Sequence, residues 1–459
     1  MTAVHPWREQ RKVLLHLAMP IFLETFLRML LGNVNVFMLS KLSDQVVGAV
    51  GVANQVINFV LMFYATIAFG TAILISQNLG AGRRQVAMET ANVSILLAGI
   101  SGLAIGLPLA VLATELLSLM RVPDEMMDSG VRYMQIVGCA SVFQSLIGVM
   151  SAIARNYRYA RIPMIITLGM NALNLAGNCV VVFRPFGLPE FGVAGIGVST
   201  AISQGVAAIV MFSMLYSHRE MNLRFTIPKA FPWHTVRRIL AIGLPGGGDS
   251  LFYSLMMIMT TFFITGMGPD ALTASVYLSS LIAFVQIMGF SVGQATMIHV
   301  GHLVGAGEDR LAYRFCMRSH WVAMVLNFSV CFTFFLFARP LLGIFTDNPS
   351  IIAIGVSVFL VDLFLEPGRP WNMVIGTALR GTGDVVWAVV ISILSLCCVC
   401  VPLAWLFGVR LQFGLPGIYA AYAIDEYVRG GLMYVRWRSG AWKRKRVVED
   451  EMDRKAETA

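Results

Sequence analysis

The sequence predicts an all-α integral membrane protein with twelve transmembrane helices in two pseudo-symmetric six-helix bundles, related as a parallel repeat. Three observations support this class. Hydrophobic residues make up 57% of the chain and charged residues 13%, and the mean hydropathy is +0.73, far from the values of a soluble domain. Apolar runs of about 20 residues recur, each long enough to cross roughly 30 Å of hydrocarbon. Landmarks of the first half also return in the second half in the same order, which indicates a duplication.

Four landmarks define the duplication. Three of them return after 225 residues: Pro20 to Glu24 as Pro245 to Asp249, Leu79 to Gly82 as Val304 to Gly307, and Ala154-Arg155 as Leu379-Arg380. The fourth, Phe191 to Gly195, returns as Phe413 to Gly417 at an offset of 222. The repeating unit of roughly 220 residues is too long for a solenoid. In a membrane protein, two similar halves are typical of a transporter, because they can rock about a site between them.

Each half contains six predicted spans. In the first half they lie near residues 13–39, 46–78, 88–118, 130–153, 162–183 and 191–217. In the second half they lie near residues 237–268, 272–303, 313–338, 351–379, 386–408 and 413–435. The first span has no small-residue cleavage site behind it, so we expect no cleavable signal peptide.

The distribution of Lys and Arg predicts the orientation. One set of alternate loops is rich in them, as at Arg83-Arg84, whereas the other set holds about one each, as at Lys41 and Arg121. We therefore expect both termini in the cytoplasm. Six spans per half is an even number, so both halves enter the membrane in the same sense. The predicted organisation is an N-terminal lobe (1–217), a cytoplasmic linker (218–236), a C-terminal lobe (237–438) and a basic and acidic cytoplasmic tail (439–459).

The net charge of +9 does not indicate a nucleic-acid partner, because the basic residues lie in short loops and tails. The run Lys443 to Arg446 predicts a solvated end near anionic lipid headgroups.

The seven cysteines fall mostly in apolar spans, and we interpret them as small buried hydrophobes. Cys397 and Cys400 have C-x-x-C spacing but no nearby histidine, which argues against metal or redox chemistry.

Five carboxyl groups fall in the middle third of predicted spans, where an ionisable group is costly and points to function: Glu24, Asp249, Asp362, Glu366 and Asp425. Three of them have an arginine three or four residues later on the same helix face, at Arg28, Arg369 and Arg429. All five are candidates for cation or proton coupling, and for Glu24, Glu366 and Asp425 a structural ion pair is the simpler interpretation. Asp362 lies one turn before Glu366, and two nearby acids can share a proton or bind a cation; a polar contact between helices is the alternative.

Asp249 has no basic residue within a turn on either side. A carboxyl group in apolar surroundings without a counter-charge can take up and release a proton, so we predict that Asp249 couples ion entry to transport. It follows Pro245, Gly246, Gly247 and Gly248, which predict a hinge in the seventh span. Close packing of another helix against the glycines is the alternative, and the two are compatible.

Uncharged polar residues complete the set. Asn35, Asn174 and Asn178 are interpreted as interhelical hydrogen-bonding groups or as contacts to a ligand in a central cleft.

His299 and His302 have i,i+3 spacing, but no acid or cysteine joins them, so a position at the membrane boundary is favoured over a metal site. The methionine-rich run around Met256 packs in the core or against lipid, or lines an apolar cleft that accepts flat cations. No cofactor and no metal ion are predicted.

These motifs resemble those of the multidrug and toxic compound extrusion (MATE) transporters over about residues 10 to 440. The resemblance is carried by Gln77-Asn-Leu-Gly80-Ala-Gly82, its second copy Gly301-His-Leu-Val-Gly305-Ala-Gly307, the segment Ala378 to Asp384, and Gly195-Ile-Gly197. Within the family the chain is similar to the bacterial branch that includes a flavin-exporting member, judging by the acid four residues after each repeat's proline and by Asp425 with Arg429.

The resemblance implies a monomeric cation-coupled antiporter in the plasma (inner) membrane. It would expel amphipathic, often cationic organic solutes, including drugs and flavin-like molecules, in exchange for H⁺ or Na⁺. Flipping of a lipid-linked precursor is the alternative, although such a flippase would be expected to have a broadly cationic cleft. An enzyme is not expected, because no metalloprotease or nucleophile-elbow motif occurs at a span end.

The chain departs from the family at three positions. Many members have an aspartate in the first span where this chain has Asn35, and acids in the seventh and tenth spans where we align Tyr253 and Arg369. Here the acids of the latter two spans lie one turn away, at Asp249 and Glu366. Tyr253 shares a helix face with Asp249 and is a candidate contact in the substrate cleft.

Overall fold

A computed structural model describes residues 7–40, 44–120, 122–184, 191–218, 221 and 231–448. The first half contains seven helices: α1 (Trp7–Ser40), α2 (Asp44–Gly80), α3 (Arg84–Val111), α4 (Ala113–Leu119), α5 (Asp124–Asn156), α6 (Arg161–Phe183) and α7 (Gly192–Ser217). The second half begins with α8 (Trp233–Thr265), α9 (Pro269–Gly305), α10 (Asp309–Leu336), α11 (Ala338–Gly343) and α12 (Pro349–Leu365). It continues with α13 (Thr377–Gly381), α14 (Val385–Ser395), α15 (Val401–Ala404) and α16 (Gly414–Ser439).

Every predicted span coincides with a helix or with a run of helical segments. Among the described residues, ten helices are long and apolar enough to cross a membrane. The two other predicted spans are α12 with α13, which is apolar but interrupted, and α16, which carries several charged residues. Large apolar side chains remain exposed along the helices, among them Phe262 (76%) and Phe364 (68%), as expected for surfaces that face lipid.

The tenth span is not continuous, contrary to the prediction of one helix over 351–379. Helix α12 ends at Leu365, and a π-helical turn, Trp371–Gly376, precedes α13. Pro367 and Pro370 explain the break, because proline lacks the N–H that continues a helix and its ring clashes with the preceding turn. Two further π-helical turns, Leu396–Cys400 and Trp405–Arg410, flank α15 in the eleventh span.

The repeat is visible in the backbone. Gly82 and Gly307, 225 residues apart, both end their helices with positive φ, at 74° and 80°. Helices α2 and α9 cross at the two glycine motifs, where a Cβ atom on Gly80 would overlap the carbonyl oxygen of His302. The reciprocal contact is present: a Cβ atom on Gly305 would overlap the carbonyl oxygen of Gln77. When equivalent residues of two repeats contact each other reciprocally, the repeats are related by a two-fold pseudo-symmetry. The prediction of a pseudo-symmetric fold is therefore confirmed.

Contacts divide the chain into two compact units whose boundaries differ from the predicted lobes. The N-unit comprises residues 23–75 and 84–247, and the C-unit comprises residues 1–22, 76–83 and 248–459. The core of the N-unit includes Val50, Ala53, Leu117, Met134 and Val137 from α2, α4 and α5. The core of the C-unit includes Leu278, Val358, Phe359, Leu365 and Ile418 from α9, α12 and α16.

The predicted linker and tail are only partly described. Residues 219–220 and 222–230 of the linker lie outside the described residues, and α8 already begins at Trp233. In the tail, Ala441–Lys445 form a 3₁₀ helix and Trp442 is fully buried, whereas the run predicted to be solvated, Lys443 to Arg446, is exposed. The prediction of buried cysteines is wrong for some of them: Cys316, Cys331 and Cys400 are buried, Cys179 is half-buried, and Cys139, Cys397 and Cys398 are exposed.

Candidate functional site

A cavity of about 550 Å³ lies within the C-unit, between α8, α9, the segment 369–380 and α16. Its apolar lining includes Met256, Met257, Phe290, Met373 and Tyr422, and its neutral polar lining includes Tyr253, Gln286, Gln294 and Asn372. Five charged residues complete the wall: Arg369, Arg380, Asp425, Glu426 and Arg429. The cavity therefore combines the apolar walls of a site for organic ligands with a concentration of charge.

The break in the tenth span presents two of these side chains. Because the helix restarts as a π-helical turn after Pro370, Asn372 and Met373 come to line the cavity. The amide nitrogen of Asn372 donates a hydrogen bond of 2.9 Å to the main-chain oxygen of Glu426 and another to the Glu426 carboxylate. These bonds connect the interrupted span to α16 across the wall of the cavity.

Behind this wall, Asp362 and Glu366 are both fully buried and face one guanidinium group. Arg369 lies 2.7 Å from Glu366 Oε1 and 3.8 Å from Asp362 Oδ1. Asn327 donates to Glu366 at 3.1 Å, and the thiol of Cys331 donates to Asp362 at 3.4 Å. The predicted pairing of Glu366 with Arg369 is confirmed. With both acids ionised, this cluster has one negative charge in excess.

A second cluster of the same kind lies on α16. Arg429 contacts Asp425 at 3.2 Å and Glu426 at 2.9 Å, and the hydroxyl of Ser395 donates to Asp425 at 2.6 Å. The predicted Asp425–Arg429 pair is therefore confirmed. Glu426 was missed by the sequence prediction, although it directly follows Asp425 and has Arg429 three residues later.

Asp249 does have a counter-charge, which corrects the premise of its prediction. Arg380 Nη2 lies 2.6 Å from Asp249 Oδ2, and the two side chains are 19% and 18% exposed. The helical neighbours of Asp249 gave no sign of this pair because Arg380 belongs to α13, 131 residues later in the chain. Whether Asp249 couples ion entry to transport remains a prediction.

The N-unit contains the equivalent ion pair. Arg155, the repeat mate of Arg380, donates to both carboxylate oxygens of Glu24 at 2.8 and 2.7 Å. Arg28 contacts the same carboxylate at 3.2 Å, as predicted, and Thr167 donates to it at 3.4 Å. Glu24 is buried to 3% exposure, so two arginines hold a carboxylate that is almost out of solvent. This pattern is that of a structural ion pair, as predicted.

Two of the three candidate asparagines, Asn174 and Asn178, lie in the N-unit and do not line the cavity. Asn174 donates to Thr200 of α7 at 3.0 Å, which agrees with the interhelical interpretation, whereas Asn178 donates to Asn174 at 3.3 Å within α6. The side chain of Asn35 lies outside the described residues. Of the predicted cleft residues that the structure describes, Tyr253 and Met256 line the cavity of the C-unit.

The segment Pro245 to Gly248 lies inside a single helix, α8. Gly246 and Gly247 pack closely on α2: a Cβ atom on Gly246 would lie 2.7 Å from the ring of Phe69, and one on Gly247 would overlap the hydroxyl of Thr66. Close packing is therefore confirmed for these two glycines. A Cβ atom on Gly248 would meet nothing within 4 Å, and the boundary between the two units falls at this residue. The hinge remains a prediction.

His299, beside the second glycine motif, lies in the core. No cluster of three or more metal-ligating side chains occurs in the part of the chain that the structure describes. His299 is buried, contacts Gln10 at 2.8 Å and lies edge-on to Phe315 at 4.5 Å. Its place is a polar contact between α1 and α9 in the C-unit.

The MatE family model matches residues 20–180 and 245–406, which lie in the two repeats and begin 225 residues apart. Among similar proteins is the uncharacterised transporter YisQ of Bacillus subtilis, 39% identical over 94% of this chain and 95% of its own length. The probable multidrug resistance protein NorM of Thermotoga maritima is 28% identical over 96% of this chain and 95% of its own length.

Solved structures give the same match in three dimensions. A MOP superfamily transporter from Pyrococcus furiosus superposes with a TM-score of 0.85 at 19% identity, covering 95% of this chain and 97% of that one. A MATE transporter from Vibrio cholerae superposes with a TM-score of 0.87 at 18% identity, covering 95% of this chain and 99% of that one. At this identity the superpositions show the fold alone.

Proposed function

Because the chain belongs to the MatE family of membrane transporters, we propose that it is a secondary active antiporter that exports amphipathic, cationic organic compounds in exchange for H⁺ or Na⁺. Family membership confirms a multi-pass membrane transporter and not an enzyme. The probable multidrug resistance protein of Thermotoga maritima supports export of drug-like solutes. We place the protein in the plasma membrane, with both termini in the cytoplasm.

The observation that carries the proposal is the charge balance around the cavity of the C-unit. Five carboxyl groups (Asp249, Asp362, Glu366, Asp425 and Glu426) face three arginines (Arg369, Arg380 and Arg429). With every group ionised, two negative charges are left over. An organic cation, a proton or Na⁺ can each neutralise this excess, so they compete for one region. Competition between two ligands with different preferences for two conformations is what exchange requires.

The remainder of the cavity supports an organic ligand. Methionine side chains adapt to ligands of varied shape, and tyrosine rings accept cations on their faces. Met256, Met257 and Met373 supply the first property, and Tyr253 and Tyr422 supply the second. The negative excess opposes the alternative function, since a flippase for a pyrophosphate-linked lipid needs a cationic cleft.

Asp362 and Glu366 are the coupling residues that the structure supports best. They are fully buried and have Arg369 between them, so uptake of one proton or one Na⁺ would balance the charge of the cluster. Asn372 lies one turn beyond Arg369 and donates a hydrogen bond to α16. A change in the charge of the cluster can therefore move residues that line the cavity.

The test is transport in proteoliposomes that contain ethidium as the organic cation, under an imposed pH gradient or Na⁺ gradient. We expect ethidium movement to dissipate one of the gradients, and Glu366→Gln to reduce the coupled rate by roughly tenfold or more. Glu308→Gln, the same change at an exposed position, is the matched control and should transport normally. Ethidium movement that needs neither gradient would contradict antiport. Riboflavin in the same assay tests the flavin-like substrates that the resemblance implies.

A further inference from the structure

The C-terminal segment, residues 441–448, packs onto the C-unit instead of extending into solvent. Trp442 is fully buried and stacks on Trp437 of α16, with ring centroids 4.5 Å apart and an interplanar angle of 11°. Its indole nitrogen donates a hydrogen bond of 2.8 Å to the main-chain oxygen of Trp437. Gly440, with φ of 71°, turns the chain back after α16 so that this stacking is possible. The segment is thus anchored by a large aromatic side chain.

Beyond this anchor, the segment contacts three motif loops of the C-unit. Val447 N–H donates to Gln77 Oε1 at 2.8 Å, at the end of α2. Arg446 forms an ion pair of 2.7 Å with Asp309, at the start of α10. The main-chain oxygen of Lys445 lies so close to Gly383 that a Cβ atom there would overlap it. Each loop contains one of the glycine motifs that recur along the sequence.

Gln77 is the centre of this arrangement. Its side chain is fully buried, and its amide nitrogen donates a hydrogen bond of 2.9 Å to the main-chain oxygen of Gly381. Both functional atoms of one side chain are therefore used, one toward α13 and one toward the C-terminal segment. Gln77 belongs to the first repeat, Gly381 to the second repeat and Val447 to the tail. The Gln77–Gly381 bond therefore joins the repeats near the crossing of α2 and α9, and the Val447–Gln77 bond ties the tail to this point.

We propose that the C-terminal segment is a latch, which holds the end of α2 against α9 and α13 and restrains their separation. Separating these helices would break the hydrogen bond between Gln77 and Gly381, and the Val447–Gln77 bond, held by the buried Trp442, opposes that movement. The link between latch release and the transport cycle rests on the proposed function. The latch itself does not.

The test is hydrogen–deuterium exchange of the full-length protein in detergent, compared with a variant that ends at Gly440. We expect amide exchange in peptides covering 74–83 and 303–309 to become roughly tenfold faster in the truncated variant. A variant that ends at Val448 keeps every contact of the latch and is the matched control. Unchanged exchange in the variant ending at Gly440 would overturn the proposal.

Point substitutions separate a latch from a general stabilising element. Trp442→Ala removes the anchor, Gln77→Met removes the two hydrogen bonds at similar side-chain length, and Arg444→Ala changes an exposed neighbour as the control. The first two should accelerate exchange in 74–83 and 303–309 and leave peptides from α5 in the N-unit unchanged. Equal acceleration in all peptides would mean that the segment only stabilises the fold, and would overturn the proposal. Because exchange is measured without substrate, these outcomes stand even if the antiport assay fails.

Discussion

Glu24 and Asp249 hold equivalent places in the two repeats, and each contacts an arginine 131 residues later in the chain. The duplication has therefore preserved an interaction as well as a fold, although one copy is a glutamate and the other an aspartate. The surroundings differ. Glu24 is 3% exposed and has Arg28 as a second partner, whereas the side chain of Asp249 is 18% exposed beside a cavity. We expect the first pair to stabilise the fold and the second to take part in transport.

Glu24→Gln should lower the stability of the protein. Arg155, whose side chain is 23% exposed, would lose the carboxylate that it contacts at 2.7 Å, and removing one partner of a largely buried ion pair costs about 3 kcal/mol or more. Asp128→Asn, which breaks an exposed pair with Arg132, is the matched control and should cost less than about 1 kcal/mol. The midpoint of thermal unfolding in detergent measures the difference. Equal midpoints for the two variants would contradict the structural role of Glu24.

Asp249→Asn should leave the protein folded and reduce transport. The substitution keeps the size of the side chain and removes the charge that holds Arg380 at 2.6 Å. We expect a loss of gradient-driven ethidium transport of roughly tenfold in protein that still purifies in a folded form. Transport at the wild-type rate would show that Asp249 is not a coupling residue and would leave Asp362 with Glu366 as the coupling site.

For individual residues, the sequence predicted which carboxyl groups matter better than it predicted which arginines pair with them. Pairs on one helix, such as Asp425 with Arg429, follow from i,i+4 spacing alone. The pair of Asp249 with Arg380 joins two elements, so helical spacing could not predict it. The repeat could have done so, since Arg155 and Arg380 were recognised as equivalent landmarks, as were Glu24 and Asp249. Asn372 faces the cavity because the helix breaks before it, and Pro367 and Pro370 were the available signal.

Among the helices, the crossing of α2 and α9 is the closest contact that the glycine motifs create. Gly80 and Gly305 each lie against a main-chain carbonyl of the other helix, which no side chain can displace by rotating. A flexible side chain could move aside for the methyl group of an alanine. A main-chain carbonyl cannot move aside unless the two helices separate along their length. The motif is therefore explained by packing at this site.

Gly80→Ala should reduce the yield of folded protein sharply, at a cost of roughly 3 kcal/mol or more, because its Cβ atom would overlap the carbonyl oxygen of His302. The matched control is Gly51→Ala in the same helix, where a Cβ atom meets nothing within 4 Å. That change should be neutral or stabilising by about 0.5 kcal/mol, since alanine favours helix. Size-exclusion chromatography of the purified variants distinguishes the two outcomes. A monodisperse, stable Gly80→Ala protein would contradict the reciprocal packing.

At the scale of the whole molecule, the sequence predicted the spans and the repeat, because hydrophobic length and duplicated landmarks are both local signals. The division into two lobes and a linker stays a prediction, and the contacts give a different partition. The predicted lobes change at the polar segment 218–236, but the compact units change at Phe22, Ile75 and Gly247, inside α1, α2 and α8. Composition marks where a chain is polar. It does not mark which helix a continuous span packs against, and that choice depends on contacts between distant residues.

Helices α1, α2 and α8 each begin in one unit and end in the other. This arrangement determines what happens when the chain is produced as two separate pieces. A break in the coding sequence at the polar segment would yield two polypeptides, 1–217 and 237–459, and neither would contain all the residues of either unit. The first would lack the start of α8, and the second would lack the start of α1 and the end of α2. Each fragment would need helical residues from the other fragment to complete its unit, as in a domain-swapped dimer. Separately produced halves should therefore be degraded, and the two produced together should recover a single full-sized transporter.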